Sequence, residues 1–258
     1  MKKVRDIVVK GNHWPLANGQ FSVPRSLFSV LRCTAVLLTC CLSSPACAQT
    51  TDFGIEWQAS YSFKPWRGGS ITIGEKMRLA DNASRFSQSK TSAAIQHTVP
   101  SRWLSLYDIR LRIGAGYTFI DRLTDHSYYE LQHRLMAQAA LSWDYGFWRF
   151  GGRTRIQCTF RDEKRGSYRY NPKLALRWRL SATYSMPDRP WRFGGYAEYF
   201  CRLNDPRGTL IDEMRYTLFA TYRLDRHQSL SLYAKYFHEM QVSNPIRMPL
   251  LGIGYEWN

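Results

Sequence analysis

The closing stretch Leu251-Gly252-Ile253-Gly254-Tyr255-Glu256-Trp257-Asn258 puts Leu, Ile, Tyr and Trp on alternate positions, with Gly, Gly, Glu and Asn between them. Successive side chains of a strand point to opposite faces, so this segment is a strand with one apolar side and one polar side. Working backwards, the same period of two recurs. Leu230, Leu232, Ala234 and Tyr236 oppose Ser231 and Lys235, and Leu174, Leu176, Trp178 and Leu180 oppose Lys173, Arg177 and Arg179. Ile109, Leu111, Ile113, Ala115 and Tyr117 oppose Arg110, Arg112, Gly114 and Gly116, and the first such segment sets Phe53, Ile55, Trp57, Ala59 and Tyr61 against Glu56 and Gln58.

The beginning of the chain reads as a leader. Lys2, Lys3, Arg5, Lys10 and Arg25 precede an apolar stretch from Leu27 to Leu42, and Ala46-Cys47-Ala48 fits the small-x-small cleavage rule. The expected domains are therefore a signal peptide at 1–48 and a single β-barrel domain at 49–258, exported by the general secretory route. The long charged lead-in and Arg32 inside the apolar run also fit a translation start downstream of Met1. A lipid-modified Cys47 is the weaker alternative, because Ser44-Pro45-Ala46 lacks the aliphatic residue that such a site uses. Six bases and Asp6 leave with the leader, so the formal charge falls from +16 to +11. Cys158 and Cys201 remain, either bridged or as unpaired small apolar residues.

No stretch after the leader approaches the ~18 consecutive apolar residues of a membrane helix, so any span must be made of strands. Hydrocarbon offers no hydrogen bonds, and only a closed sheet leaves no bare strand edge. The expected fold is all-β: a transmembrane antiparallel up-and-down barrel of about 10–12 strands, with short periplasmic turns and longer extracellular loops. The pattern yields eleven segments, whereas single-chain bacterial barrels close on an even number, so ten or twelve is expected and the faint Thr91–Val99 segment is the first to discard. Asp81 to Lys90 reads as a polar loop. Glu75 stands on the apolar side of its segment, which a bulge or a place near the rim would explain. Trp57, Trp66, Trp103, Trp143, Trp148, Trp191 and Trp257 fall near segment ends and read as two interfacial girdles. A soluble β-sandwich also alternates, but export, a wholly polar opposite face and a penultimate Trp257 favour lipid.

Asp52-Phe53-Gly54 with Trp57, Arg78 with Asp81-Asn82, Gly114-Ala115-Gly116-Tyr117, Arg177-x-Arg179, Glu198-x-Phe200, Met214-Arg215-Tyr216, His227-Gln228-Ser229-Leu230 and the run from Leu251 to Tyr255 follow one another in an order that resembles the outer-membrane barrel family Domain of Unknown Function 2490. The resemblance spans nearly all of the chain after the leader. It implies a barrel in the bacterial outer membrane and supplies neither an activity nor catalytic residues.

The polar face is arginine-rich. Arg110, Arg112, Arg134, Arg149, Arg153, Arg155, Arg177, Arg179, Arg192, Arg202, Arg215 and Arg223 fall on it, with Glu56, Glu130 and Glu198 as the acids in reach. Arginine stays charged and binds anions bidentately, so such a lumen favours small anionic solutes, sugars or phosphates. A barrel of about ten strands is barely wide enough for an open channel, which favours a plugged or narrowly permeable lumen. The expected partners are outer-membrane lipid and lipopolysaccharide, the latter within reach of the loop bases Arg161, Lys164, Arg165 and Arg169. The barrel-assembly machinery is expected to engage the C-terminal strand. Export and inward-facing bases argue against nucleic acid. The alternative function is a surface hydrolase acting on acyl esters or peptides. Its nearest candidates are Asp125, His126, Ser127 and Glu130, with Asp121 and His126 as a water-activating pair. His126 and Ser127 are adjacent, so they meet only in an irregular loop. His133 and His238 lie on the apolar face, no metal-ligand spacing is present and no cofactor is expected. Gly114-Ala115-Gly116 precedes no helix, so it is not a dinucleotide fingerprint.

Overall fold

The computed structural model describes residues 52–101, 104, 107–123, 128–162, 171–205, 210–240 and 247–258, so the leader and its cleavage site lie outside the described residues. Eleven strands form among the described residues: β1 (Gly54–Phe63), β2 (Gly69–Ala80), β3 (Arg85–Val99), β4 (Ile109–Leu123), β5 (Tyr129–Tyr145), β6 (Trp148–Arg161), β7 (Lys173–Ser185), β8 (Trp191–Arg202), β9 (Leu210–Arg223), β10 (Gln228–Glu239) and β11 (Arg247–Trp257). Each pairs antiparallel with its sequence neighbours, and β1 and β11 close the barrel. The closing pair is parallel, running from Gly54 opposite Leu250 to Tyr61 opposite Trp257.

This corrects the expectation of an even count. Eleven strands in an up-and-down meander leave the first and last strands running in the same direction, and a parallel ladder joins them as completely as an antiparallel one. The faint third segment is a full strand of fifteen residues, and only Asp81 to Ser84 remain as the turn before it. Asp81, Asn82 and Ala83 make that turn with left-handed backbone at φ 56, 54 and 62. β3 reads poorly because Ser87 is an extra residue in its ladder: Arg78 pairs with Gln88 but Leu79 pairs with Phe86. Beyond that bulge its outward positions are Ser89, Thr91 and Ala93, too small to mark an apolar face.

The tight-turn end of the barrel holds residues 64–68, 146–147, 186–190 and 224–227 together with Asn258, and also the described residues 100, 101, 104, 107 and 108 of a longer connection. The opposite, long-loop end holds, among the described residues, 81–84, 128, 162, 171–172, 203–205 and 240. Large apolar side chains stand exposed around the outside, among them Ile73, Ile113, Leu135, Ile156, Leu180, Leu218 and Leu251. Of the tryptophans expected to make two girdles, Trp66, Trp143, Trp148, Trp191 and Trp257 gather at the tight-turn end, and Trp57 lies toward the other. Trp103 lies outside the described residues. Rings pack together there, with Trp148 against Tyr184 at 5.1 Å and Trp191 against Tyr222 at 4.9 Å between centroids. The long-loop end has tyrosine and phenylalanine instead, as in the Phe86–Tyr129 pair.

Cys158 and Cys201 are unpaired, because β7 separates their strands. Glu75 is neither at a rim nor at the bulge. It sits midway along β2, facing outward between Ala59 and Thr91, and its Oε2 accepts a 2.6 Å hydrogen bond from Thr91 Oγ1.

Candidate functional site: the basic lumen

Alternation sends the polar face of every strand into the lumen, where register decides which charges meet. Arg153 on β6 stands opposite Arg179 on β7, which stands opposite Glu198 on β8, which stands opposite Arg215 on β9. Glu198 is 2 % exposed. Its Oε1 accepts from Arg153 Nη2 and Arg177 Nε, both at 3.1 Å, and from Arg179 Nε, and its Oε2 accepts from Arg177 Nη2. Three guanidinium groups therefore share one buried carboxylate. Like charges opposed across a ladder repel, and removing a single acid from such a cluster leaves buried charge uncompensated.

A second hub forms on the other side. Glu56, fully buried, accepts from Arg78 Nε and Nη2 at 3.2 and 2.8 Å, from Lys235 Nζ, and from the Tyr233 hydroxyl at 2.9 Å, with Lys76 Nζ 3.2 Å away. Between the hubs, rings and guanidinium groups stack in a row across the lumen. Arg78 lies 4.7 Å from the Phe237 ring centroid, Arg215 lies 4.8 Å from Phe237 and 4.1 Å from Phe200, and Arg177 lies 4.5 Å from Phe200. Desolvated cation–π contacts of this kind contribute on the order of 2 kcal/mol each. Glu213 receives two hydrogen bonds from Arg215 and neutralises the middle of the row.

On the tight-turn side of this row the lumen is hollow, with a cavity of about 720 Å³. On the long-loop side the inward side chains Gln88, Ile120, Gln132 and Leu250 are buried and do not border the cavity. The hollow is thus a vestibule entered from the tight-turn end and closed at the Arg–Phe row. Twelve basic and three acidic residues border it, and Glu75 among the acids faces outward. Arg155 and Arg134 meet neutral oxygens: Gln138 Oε1 at 3.0 and 2.6 Å for Arg155, and Thr159 Oγ1 at 2.9 Å for Arg134.

The arginines expected on the inner face divide by height. Arg134, Arg153, Arg155, Arg177, Arg179 and Arg215 surround the cavity, with Arg149 and Arg192 nearer its mouth. Arg110 shares Asp144 with Arg149 at the mouth, and Arg112 is exposed there; neither borders the cavity. Arg202 belongs to the opposite end, bound to Asp205 and Asp212. Glu56 and Glu198 are the two hubs, whereas Glu130 is buried beyond the closure and accepts from Gln132 Nε2 at 3.0 Å. Asp125, His126 and Ser127 lie outside the described residues, as do Lys164, Arg165 and Arg169. Asp121 faces outward on β4. His133 is outward too, bonded to the Tyr117 hydroxyl at 2.6 Å. Lys76, Arg78, Lys90 and Lys235 complete the basic lining, and Phe200 and Phe237 its closure. Position parity on their strands is the signal that marks them, once the register is known. No group of three or more metal-ligating side chains occurs among the described residues.

No significant match is found among curated proteins. Among solved structures the chain is similar to an anion-selective porin from Comamonas acidovorans, with 8 % identity over 72 % of this chain and 82 % of that one and a TM-score of 0.31. The family described as protein of unknown function (DUF2490) matches residues 55–245. With that match running through β1 to β10 of the barrel, the chain belongs to the DUF2490 family.

Proposed function

We propose that this protein is an outer-membrane barrel that takes small anions into a basic vestibule from the periplasmic side, by binding or narrow permeation, and that it is not an enzyme. Its exterior supports the membrane placement. A sheet closed on itself, apolar outside and polar inside, satisfies every backbone group in lipid. A ten-residue strand such as β1 is about 33 Å long and, tilted by about 40°, crosses about 25 Å, the height of the apolar band in outer-membrane barrels. The leader read from residues 1–48 supplies the export route. In the usual orientation the tight turns, and with them the vestibule mouth and the tryptophan belt, face the periplasm. Lipid and lipopolysaccharide surround the wall, and β11 is the strand for the assembly machinery to engage.

The observation that carries the anion reading is the charge imbalance of the vestibule: twelve basic residues border it, and Glu198 and Glu256 are the inward acids among its lining. In a low-dielectric cylinder such an excess attracts anions strongly. The test combines two measurements on the refolded protein. Calorimetric titration with sodium sulfate should show binding that weakens with added chloride. Planar-bilayer recording should show small conductance, with a reversal potential favouring chloride over potassium. Absence of sulfate binding together with cation selectivity would overturn the reading.

A further inference from the structure

The vestibule has two unlike walls. Arg153, Arg155, Arg177 and Arg179 line one side, on β6 and β7. The antipodal side, on β1 to β3, carries Lys76, Arg78 and Lys90 at its deep end and turns to hydroxyl and amide groups toward the mouth, with Gln58, Ser60, Thr72, Ser92 and Gln96 bordering the same cavity. A bare inorganic anion needs the first wall alone, because neutral hydroxyls offer it little that water does not. A third element joins them. Phe219 and Tyr233 also border the cavity, each close to a glycine of the neighbouring strand. A Cβ on Gly194 would come within 2.7 Å of the Phe219 ring, and one on Gly252 within 2.1 Å of the Tyr233 ring. Glycine at these positions lets each ring approach the barrel wall; Lys235 Nζ stands 4.3 Å from the Tyr233 ring centroid, and Tyr196 packs beside Phe219 at 6.4 Å between centroids.

We infer that the vestibule is a binding site for an anionic saccharide, a sugar acid or sugar phosphate, held by its charge on the arginine wall and by its hydroxyls on the Ser/Thr/Gln groups, with a sugar face against the Phe219 ring. This rests on the anion reading above and specifies its ligand. Guanidinium forks match carboxylate and phosphate geometry, hydroxyl and amide side chains both donate to and accept from sugar hydroxyls, and aromatic faces pack against apolar ring faces. The cavity of about 720 Å³ lies within the roughly 300–1,000 Å³ of small-molecule sites.

The experiment titrates the full refolded barrel at fixed ionic strength with four probes: digalacturonate, glucose 1-phosphate, sulfate and maltose. At least one charged sugar should bind about tenfold or more tighter than sulfate, with maltose weakest, and which charged sugar wins separates carboxylate from phosphate ligands. The double variant Gln58→Ala/Ser60→Ala should lose most of that advantage, the loss falling on the charged sugar and not on sulfate. Sulfate binding as tightly as both charged sugars would overturn the saccharide inference and leave the anion reading standing, as would a double variant that weakens sulfate and sugar equally. If no charged probe binds at all, the anion reading itself fails. A heat-modifiability gel on each variant confirms that the barrel is folded.

Discussion

Arg155 and Arg177 stand directly opposite one another across the β6–β7 ladder, and only Arg177 has a carboxylate, Glu198, to neutralise it. Arg155 is held by the neutral Gln138. The pair places one charge in the structural network and presents the other to the cavity. Replacing Arg155 by Gln should therefore weaken sulfate binding about tenfold, since a charge-assisted hydrogen bond contributes ~1.5 kcal/mol or more. Relief of the opposed charges should leave the melting temperature unchanged or slightly higher. Calorimetric titration and a heat-modifiability series check both halves, and a destabilised Arg155→Gln protein with unaltered sulfate affinity would contradict this division of roles.

The converse holds at Glu198. Converting it to Gln leaves Arg153, Arg177 and Arg179 converged on a neutral group, and breaking a buried ionic cluster in this way costs about 3–5 kcal/mol. Urea unfolding of the folded barrel should show that loss, and added sulfate should recover much of it, because an exogenous anion supplies the missing charge. Glu198→Gln should accordingly bind sulfate more tightly than the parent does. Equal stabilisation of parent and variant by sulfate would show that the anion binds elsewhere.

On the outside, Glu75 poses the opposite problem: a carboxyl among apolar side chains with Thr91 as its hydrogen-bond donor. Glu75→Leu should raise the temperature at which the barrel unfolds, and Thr91→Val should lower it, by ~1–3 kcal/mol in stability, by leaving a polar group without its partner. Unfolding curves in lipid vesicles distinguish the two. A destabilised Glu75→Leu barrel would mean that the carboxyl has a further partner in the membrane.

Most of the barrel was readable because a period of two is local: the faces of β4, β5, β7 and β10 follow from residues within one strand. β3 is faint in the sequence because Ser87 breaks the period and Ser89, Thr91 and Ala93 carry no large side chain. The parallel closure was unreadable, since alternation fixes neighbours along the meander and says nothing about how its two ends meet. The lumen divides in the same way. That arginines face inward follows from parity. That Arg153, Arg177 and Arg179 converge on Glu198, or that Phe200 and Phe237 turn inward to stack with Arg215, depends on register between strands, and an aromatic on the polar face looks like noise in the pattern.

The parallel seam has a topological consequence. β1 begins at the long-loop end near Leu250, and β11 ends at the tight-turn end, where Asn258 bonds to His227. In a membrane-spanning barrel, an epitope inserted just ahead of Asp52 and one added after Asn258 should lie on opposite sides, the first accessible on intact cells and the second only after the outer membrane is opened. Antibody labelling before and after permeabilisation decides it. Both epitopes on one side would require an even strand count and overturn the β1–β11 pairing.

Phe237 lies between Arg78 and Arg215, and Phe200 between Arg215 and Arg177, so the two rings space three cations that would otherwise repel. Removing both rings in Phe200→Ala/Phe237→Ala takes away the apolar spacers and leaves the guanidinium groups to separate into water. The vestibule should then deepen toward Ile120 and Leu250, and single-channel conductance should rise while anion preference persists, because every arginine is retained. Phe237→Ala alone should give a smaller increase, since Phe200 still bridges Arg215 and Arg177. Unchanged conductance in the double variant would place the barrier at Ile120 and Leu250 instead, and Leu250→Ala would then be the substitution that opens the lumen.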